Sequence, residues 1–442
     1  MKIVLPVHHF LPTYRAGAEQ YTAKLARALI ARDHDVEVVA IESVAHGAVG
    51  ELREMREIYD GIKVIRLSFD LEKSPNRDQW LFDNPLLGDW FDRYFRQERP
   101  DIVHFQAGYL IGVAPIFAAH ANRVPAVYTL HDYWFICPRH TLLRGDDSLC
   151  TAVPVDPSGC AWCYALQKRR HQILNRVTLG AFGEQATRTD HFRKRDVLAL
   201  RRHRLEEAYA TLDAVIAPSN FMATSVRAFY PSKPIDVVQI GIQQAMFADV
   251  TPAWPVNGLR FGFIGQLSEH KGVHLLIEAF RHLRSTLPLE LAIHGNAAVP
   301  RYLEQLHHLA NGDKRISFHG SFDNARVAGI MASFSACVVP SIWYENAPLV
   351  IQEALAAGVP VITAAMGGMQ ELVADQSTGL HFEPGSVQSL AGAMQHLVDD
   401  PALLDRLRQG VAHRTVRTGD DEMRDLYAIY DRVLSHRYVH QP

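Results

Sequence analysis

Two carboxylates eight residues apart, Glu345 and Glu353, lie in the stretch Pro340-Ser341-Ile342-Trp343-Tyr344-Glu345-Asn346-Ala347-Pro348-Leu349-Val350-Ile351-Gln352-Glu353. The apolar run before it, Ala336 to Val339, reads as a buried strand, and Leu349 to Ala357 reads as a helix. Were the chain between the two acids wholly helical, they would stand about 12 Å apart along the axis. One acid would then meet one end of an extended ligand and the other a different part. Unbonded amides at Leu349 and Val350 suit a phosphate, and Pro348 removes no donor that the first turn needs. The same pair reads equally well as a helix cap plus a surface glutamate.

A strand, a glycine-bearing turn and a helix follow one another at three other places. Thr363-Ala364-Ala365-Met366-Gly367-Gly368-Met369 would let backbone amides approach an anion closely. Gly265-Gln266-Leu267-Ser268-Glu269-His270-Lys271-Gly272 follows a strand ending at Ile264 and carries a cation, Lys271, at the strand's carboxyl end. Arg15-Ala16-Gly17-Ala18-Glu19 joins the first strand to the first helix. There is no Gly-x-Gly and no Gly-x4-Gly-Lys-Ser/Thr loop, so the pattern suits a diphosphate ligand other than a dinucleotide and excludes a P-loop nucleotidase.

Four of the five cysteines cluster as Cys137-x12-Cys150-x9-Cys160-x2-Cys163. Three readings stay open: a structural zinc on four thiolates, another metal or redox centre, or free thiols. Cys337 lies inside a strand and reads as core.

These residues need a scaffold. Short apolar runs alternate with helical stretches in two series, one through Val36–Ala40, 102–105, 126–130 and 214–217, the other through 259–264, 289–293, 336–339 and 359–362. Such alternation predicts two α/β, doubly wound domains with parallel sheets, over 1–245 and 246–420, hinged at a stretch holding Pro231, Pro234, Pro252 and Pro255. A last helix over 421–442 places Met423, Leu426, Tyr427, Tyr430, Val433 and Leu434 on one face and is expected to pack back on the first domain. The segment 134–212 breaks the alternation. It holds the cysteines and then eleven Lys or Arg against three acids from Lys168 to Arg204. That excess reads either as a helical insertion facing an anionic membrane or phosphorylated acceptor, or as a solvated face paired with acids elsewhere.

With these segments in order, the chain resembles the family 4 glycosyltransferases, retaining enzymes of the GT-B fold whose two Rossmann-like domains face each other across a cleft. The resemblance rests on Ala16-Gly17-Ala18-Glu19, Thr129-Leu130-His131-Asp132, Ala217-Pro218-Ser219-Asn220, Gly265 to Gly272, Glu345 to Glu353 (an E-x7-E pattern) and Gly367-Gly368-Met369-Gln370-Glu371. His131-Asp132-Tyr133-Trp134-Phe135-Ile136-Cys137-Pro138-Arg139 is similar to a bacterial polysaccharide-assembly branch. The resemblance implies that Glu353 meets the ribose hydroxyls and Glu345 the donor sugar, and that Lys271 neutralises the diphosphate. It implies that Gly367, Gly368 and Met369 present amides to the donor, that Gly17 closes over the diphosphate from the other domain, and that His131, with Asp132 beside it, lies near the transferred sugar on the acceptor side. Asp132 also reads as a turn cap. Gln266 stands where the family usually has an arginine, and Ala16-Gly17 where it has paired glycines.

The implied activity is transfer of a sugar, with retention, from a GDP- or UDP-sugar to a glycan or lipid-linked acceptor in cell-surface polysaccharide synthesis. No Asp-x-Asp stands at a strand end, so no catalytic metal or cofactor is expected. The alternatives are a nucleotide-sugar epimerase on the same scaffold and a non-catalytic nucleic-acid module. A net charge of −3 argues against the last, and no nucleic-acid partner is expected. No run reaches the length of a membrane span and the amino terminus reads as a strand, so the expected place is the cytoplasm, with peripheral contact at the inner face of the membrane.

Overall fold

The structure, a computed structural model, describes residues 1–14, 17–45, 48–183, 193–248, 250, 251, 253, 255 and 257–439. Arg15 and Ala16 of the first turn, Pro252, and residues 184–192 of the basic run lie outside the described residues. The chain divides into two compact units: Met1–Pro218 with Met222–Val238 and everything from Met423 on, and Gln239–Glu422 with Ser219–Phe221.

Unit 1 carries an eight-stranded sheet built from β1 (Lys2–His8), β2 (Asp35–Ser43), β3 (Arg53–Tyr59), β4 (Ile62–Phe69), β5 (Ile102–Phe105), β6 (Ala126–Thr129), β7 (Ala214–Ala217) and β8 (Asp236–Val237), in the order β3-β4-β2-β1-β5-β6-β7-β8. β1, β5, β6 and β7 are apolar runs buried along nearly their whole length, as strands covered on both faces must be. β3 is the exception. It pairs antiparallel with β4 through Asp60-Gly61, both with positive φ, and its sequence Arg-Glu-Met-Arg-Glu is exposed. A charged edge strand on a two-residue Asp-Gly turn is how a parallel sheet ends without inviting another chain.

Unit 2 holds six parallel strands: β9 (Leu259–Ile264), β10 (Leu289–His294), β11 (Ile316–Gly320), β12 (Ala336–Val339), β13 (Val361–Ala364) and β14 (Gly379–Phe382), ordered β11-β10-β9-β12-β13-β14. In both units the order reverses beside the first strand, between β1 and β5 and between β9 and β12. Doubly wound sheets bind ligands at the carboxyl ends of the strands flanking that reversal.

The insertion holds no helix or strand from Leu130 to Asp156. It continues as helices Pro157–Ala165, Arg169–Val177 and Arg193–Thr211. Buried Arg201 on the last of these donates to the Trp134 carbonyl and stacks 5.2 Å from the Trp134 ring. The final helix, Gly419–Val439, buries Met423, Leu426, Ile429, Tyr430 and Val433. Ile429 thus joins the buried stripe, while Tyr427 and Leu434 sit at its half-buried margins. Among the described residues no helix is long and apolar enough to cross a membrane.

Candidate functional site

In unit 2 the turns after β9 and β12 interlock. The amide of Ile342 donates to the His270 carbonyl at 2.9 Å. Gly272 has φ +70°, and a Cβ there would stand 1.9 Å from the Pro340 carbonyl oxygen, so only glycine lets the two loops touch. This contact brings Lys271 to Glu345. Its Nζ lies 2.5 Å from Glu345 Oε1, and the Ser341 hydroxyl donates to the same oxygen at 2.9 Å. Glu345 is buried, which pushes its pKa up. The Lys271 charge and the hydrogen bonds more than reverse that, and the carboxyl is held below its usual range. Lys271 also lies 5.6 Å from the Trp343 ring centroid.

The turn after β13 closes on the same loop. The Gly368 amide donates to the Glu345 carbonyl at 2.8 Å, and a Cβ on Gly368 would stand 1.5 Å from the Asn346 carbonyl oxygen. Glu345, Lys271, Gly367 and Gly368 are therefore brought together, with Met369 fully buried behind them. The helix carrying Glu353 runs Leu349–Ala356 and has no side-chain cap at its start, so the amides of Leu349 and Val350 have no partner within the helix. Glu345 sits on the loop and not on the helix, so the axial spacing expected for the two acids does not apply. Burial alone pushes the Glu353 carboxyl up to about 7. Gln266 is exposed at the start of the β9 turn.

Glu371, which carried no expected role, is an anchor. Its carboxylate accepts from the Asn220 amide at 2.8 Å, from Asn220 Nδ2 at 3.1 Å and from the Phe221 amide at 2.5 Å. Phe221 then stacks on Tyr344 at 4.8 Å, against the neighbour of Glu345. These partners are some 150 residues apart in sequence, and no local spacing signals them.

Unit 1 presents a different chemistry at its own reversal point. His131, after β6, shares a 3.1 Å hydrogen bond between its Nε2 and Gln106 Oε1, and packs 4.6 Å from the Tyr21 ring. Gln106, after β5, donates in turn to the carbonyl of His104. His104 bonds Thr129 Oγ1 and Tyr430 Oη, each at 2.7 Å. Burial pushes His104 and His131 down to about 3 and His8 to about 4, so these rings are neutral. A neutral His131 facing an amide oxygen is a donor at Nε2. Asp132 is pushed up to about 6 by burial, and one of its oxygens accepts from the Trp134 amide at 2.9 Å, closing the turn. Gly17 opens the first helix, Gly17–Ile30, with open space around its Cα. Glu19, deeply buried two residues on, lies 3.8 Å from His8, and with His9 these groups put ligand atoms within 4.8 Å of one another. The Glu of the first turn was visible in the sequence; that β1 would end in two histidines facing it was not recognised.

The insertion uses much of its positive charge internally. Arg204 pairs with Asp83 and Glu207 at 2.9 Å, Arg202 donates to the Pro154 carbonyl at 2.8 Å, and Lys194 lies 3.8 Å from Asp78 and 4.5 Å from the Tyr164 ring. Cys137, Cys150, Cys160 and Cys163 are unpaired by disulfides and line one cavity; Cys337 is buried in β12.

The backbone compares directly with known folds. A sucrose-phosphate synthase from Thermosynechococcus elongatus superposes with TM-score 0.68 at 19% identity, covering 98% of this chain and 99% of that one. WaaG, a glycosyltransferase of lipopolysaccharide biosynthesis, gives 0.60 at 16% identity over 98% of each chain. The architecture is GT-B. At the level of sequence, residues 15–245 match the family described as Glycosyltransferase Family 4 and residues 250–414 the one described as Glycosyl transferases group 1. The chain belongs to Glycosyltransferase Family 4. Among curated relatives, a glycogen synthase of Mycobacterium tuberculosis is 31% identical over 41% of this chain and 44% of its own length. A D-inositol 3-phosphate glycosyltransferase of Xylanimonas cellulosilytica is 28% identical over 50% of this chain and 58% of its own. The chain thus spans about half the length of the curated relatives it matches.

Proposed function

We propose that this protein is a retaining glycosyltransferase. It would move a sugar from a nucleoside diphosphate donor to a hydroxyl of a glycan or lipid-linked acceptor, in cell-surface polysaccharide assembly. The observation that carries the reading is the Lys271–Glu345 pair at the β9/β12 reversal, beside uncapped helix amides and the Gly367-Gly368 turn. Breaking a glycosyl–phosphate bond leaves positive charge at the anomeric carbon and negative charge on the diphosphate. A carboxylate and an ammonium in contact meet those two demands. Glu345 stabilises and orients the sugar, Lys271 balances the diphosphate without a catalytic metal, and Glu353 meets the ribose hydroxyls. The bond between the anomeric carbon and the phosphate oxygen breaks, the acceptor oxygen bonds on the same face, and its proton leaves to the departing phosphate. His131 and Asp132 serve the acceptor side. The structures of HepE from Anabaena with UDP and with UDP-glucose, which superpose with TM-scores of 0.60 and 0.58 at 18% identity, support a uridine donor for that protein and make UDP-sugars the first candidates here.

Peripheral contact with an anionic lipid surface forms part of this proposal. It is supported by the helix Arg169–Val177, where Ile173, Leu174 and Val177 are exposed among Arg169, Arg170 and Arg176.

The test is nucleotide release from a panel of UDP- and GDP-sugars, with calorimetric titration of UDP and GDP. Micromolar binding of one nucleotide and slow release from one of its sugars is expected. Absence of binding to either would remove the donor role of this site. Conversion of the donor to an epimer with no acceptor present would favour the epimerase reading.

A further inference from the structure

From Leu130 to Asp156 the insertion has no helix or strand, only turns and the isolated Leu143–Leu149 bridge. A loop this long needs something to hold it. Its first half is anchored by buried Tyr133, Trp134, Phe135 and Ile136, but the cluster under its outer half is small: Cys160, Ala161 and Leu198, with Val153 and Tyr164 packed against them. What that outer half adds is sulfur. Cys137, Cys150, Cys160 and Cys163 line a single cavity with Arg139, Arg144 and Tyr164. Cys160 lies close enough to feel the other three thiols, and Cys163 to feel Cys137 and Cys150. Cys160 and Cys163 lie three apart on the helix Pro157–Ala165, so both project to one side. Cys150 is set in a turn by its amide, which donates to the Leu142 carbonyl at 2.7 Å, and Cys137 by its amide bond to the Tyr133 carbonyl, also 2.7 Å.

We propose that these four cysteines form a tetrathiolate site for zinc that staples the insertion of unit 1, apart from the sugar chemistry of unit 2. Four thiolates around a divalent cation carry a net charge of −2, and two guanidinium groups stand at the cavity wall to balance it: Arg139, anchored by its Nε on the Leu143 carbonyl at 3.0 Å, and Arg144 beside Cys150. Among the described residues no three of the four sulfurs converge within 4.8 Å, whereas tetrahedral Zn–S bonds of about 2.3 Å hold sulfurs roughly 3.8 Å apart. Binding therefore draws the Cys137 and Cys150 turns inward onto the helix pair, releases the thiol protons and couples metal affinity to the order of the whole loop. Disulfides are the competing use of the same thiols. A Cys160–Cys163 bridge would link adjacent turns of one helix and leave the Leu130–Asp156 loop unpinned, which makes the metal the better staple.

The experiment measures zinc by mass spectrometry in the full chain purified under reductant, followed by anaerobic replacement with Co²⁺ alone. About one zinc per chain is expected, with the intense visible bands and sulfur charge-transfer absorption of tetrahedral thiolate cobalt. The C160S/C163S variant is expected to fall to roughly a tenth of that metal content or less, while Cys337→Ser keeps it. Because the double variant also risks misfolding, thiol titration of the unaltered protein is the second readout. One thiol is expected to react readily once the chain is opened by denaturant below the zinc-release point, and four more only as zinc is released. No metal and no cobalt spectrum, retention of zinc in C160S/C163S, an iron chromophore, or disulfides among the four cysteines would each overturn the site. None of these results bears on donor binding by unit 2, which is scored separately by nucleotide release.

Discussion

The two sheets share a strand order around their first strands, yet the turns at their reversal points carry opposite electrostatics. In unit 2 the loops after β9 and β12 hold a full ion pair, Lys271 with Glu345, in a buried setting. In unit 1 the end of β1 and the loops after β5 and β6 hold His8, Gln106 and His131, and burial keeps both histidines uncharged. On the function proposed above, one scaffold carries charge where a diphosphate would sit and neutral donors where hydroxyls would. The fold alone therefore says little about chemistry, and the side chains at the strand ends say most of it.

The sharpest way to break this contrast is to remove the charges. Glu345→Gln is expected to lower kcat by about 10³-fold while shifting UDP or GDP affinity only slightly, because the loss falls on the transition state. Comparable affinity loss and unchanged kcat would make Glu345 a binding group only. Lys271→Met is expected to weaken nucleotide binding and also to destabilise the protein by about 2–4 kcal/mol, since it strands a buried carboxylate. The double variant Glu345→Gln with Lys271→Met should recover part of that stability, which urea unfolding reads directly. If the single Lys271 variant is as stable as the parent, the ion pair is not a structural element of the site.

Acid and base sharpen the same comparison. The folded pKa values of His8, His104 and His131 lie below the ordinary 6.5, so the unfolded chain binds more protons. Stability is then lost as pH falls below about 6.5, by about 1–2 kcal/mol for a ring such as His104 by pH 5. Glu353 has the opposite sign. Its folded pKa is raised to about 7, so stability is lost as pH rises from about 4.5 through 7. Calorimetric melting at pH 5 and 7.5 is expected to show Glu353→Gln stabilising at 7.5 and near neutral at the lower pH. A His104→Gln variant should lose less stability on acidification than the parent. Equal pH slopes in all three proteins would mean these groups are better solvated than their burial implies.

What the residue order reveals is uneven for a physical reason. Strand-end turns are local, so Gly265–Gly272, Glu345–Glu353 and Gly367-Gly368 were all legible, as was the alternation that predicts two parallel sheets. Asp60-Gly61 was equally local, and the hairpin it makes with β3 went unread although the dipeptide is a strong turn signal. Contacts between distant segments left no such trace. Glu371 capping Asn220 and Phe221, Gln106 behind His131, and Tyr430 on the last helix bonding His104 depend on packing that no window of sequence contains. The basic run left two readings open, and its described residues divide between them: Arg201 and Arg202 serve carbonyls and Arg204 serves Asp83, while Arg169, Arg170 and Arg176 stay exposed.

That division sets the smallest prediction, which compares two helices of the insertion. On Arg193–Thr211, Lys194 is engaged with Asp78 and Tyr164, so K194S is expected to leave binding to anionic vesicles nearly unchanged. On Arg169–Val177, Ile173 and Val177 are exposed beside Arg169 and Arg170. Here I173S/V177S gives up roughly 1 kcal/mol of apolar transfer per side chain, and R169S/R170S about as much per charge at a negative surface. Each pair should reduce sedimentation with phosphatidylglycerol vesicles by roughly ten-fold at low salt, and only the arginine pair should lose its effect as salt is raised. If both pairs respond to salt alike, attraction is purely electrostatic and the exposed apolar side chains do not enter the lipid. If neither pair matters while K194S does, the outward-facing surface lies on the inner helix, and the internal ion pairs break when a membrane is present.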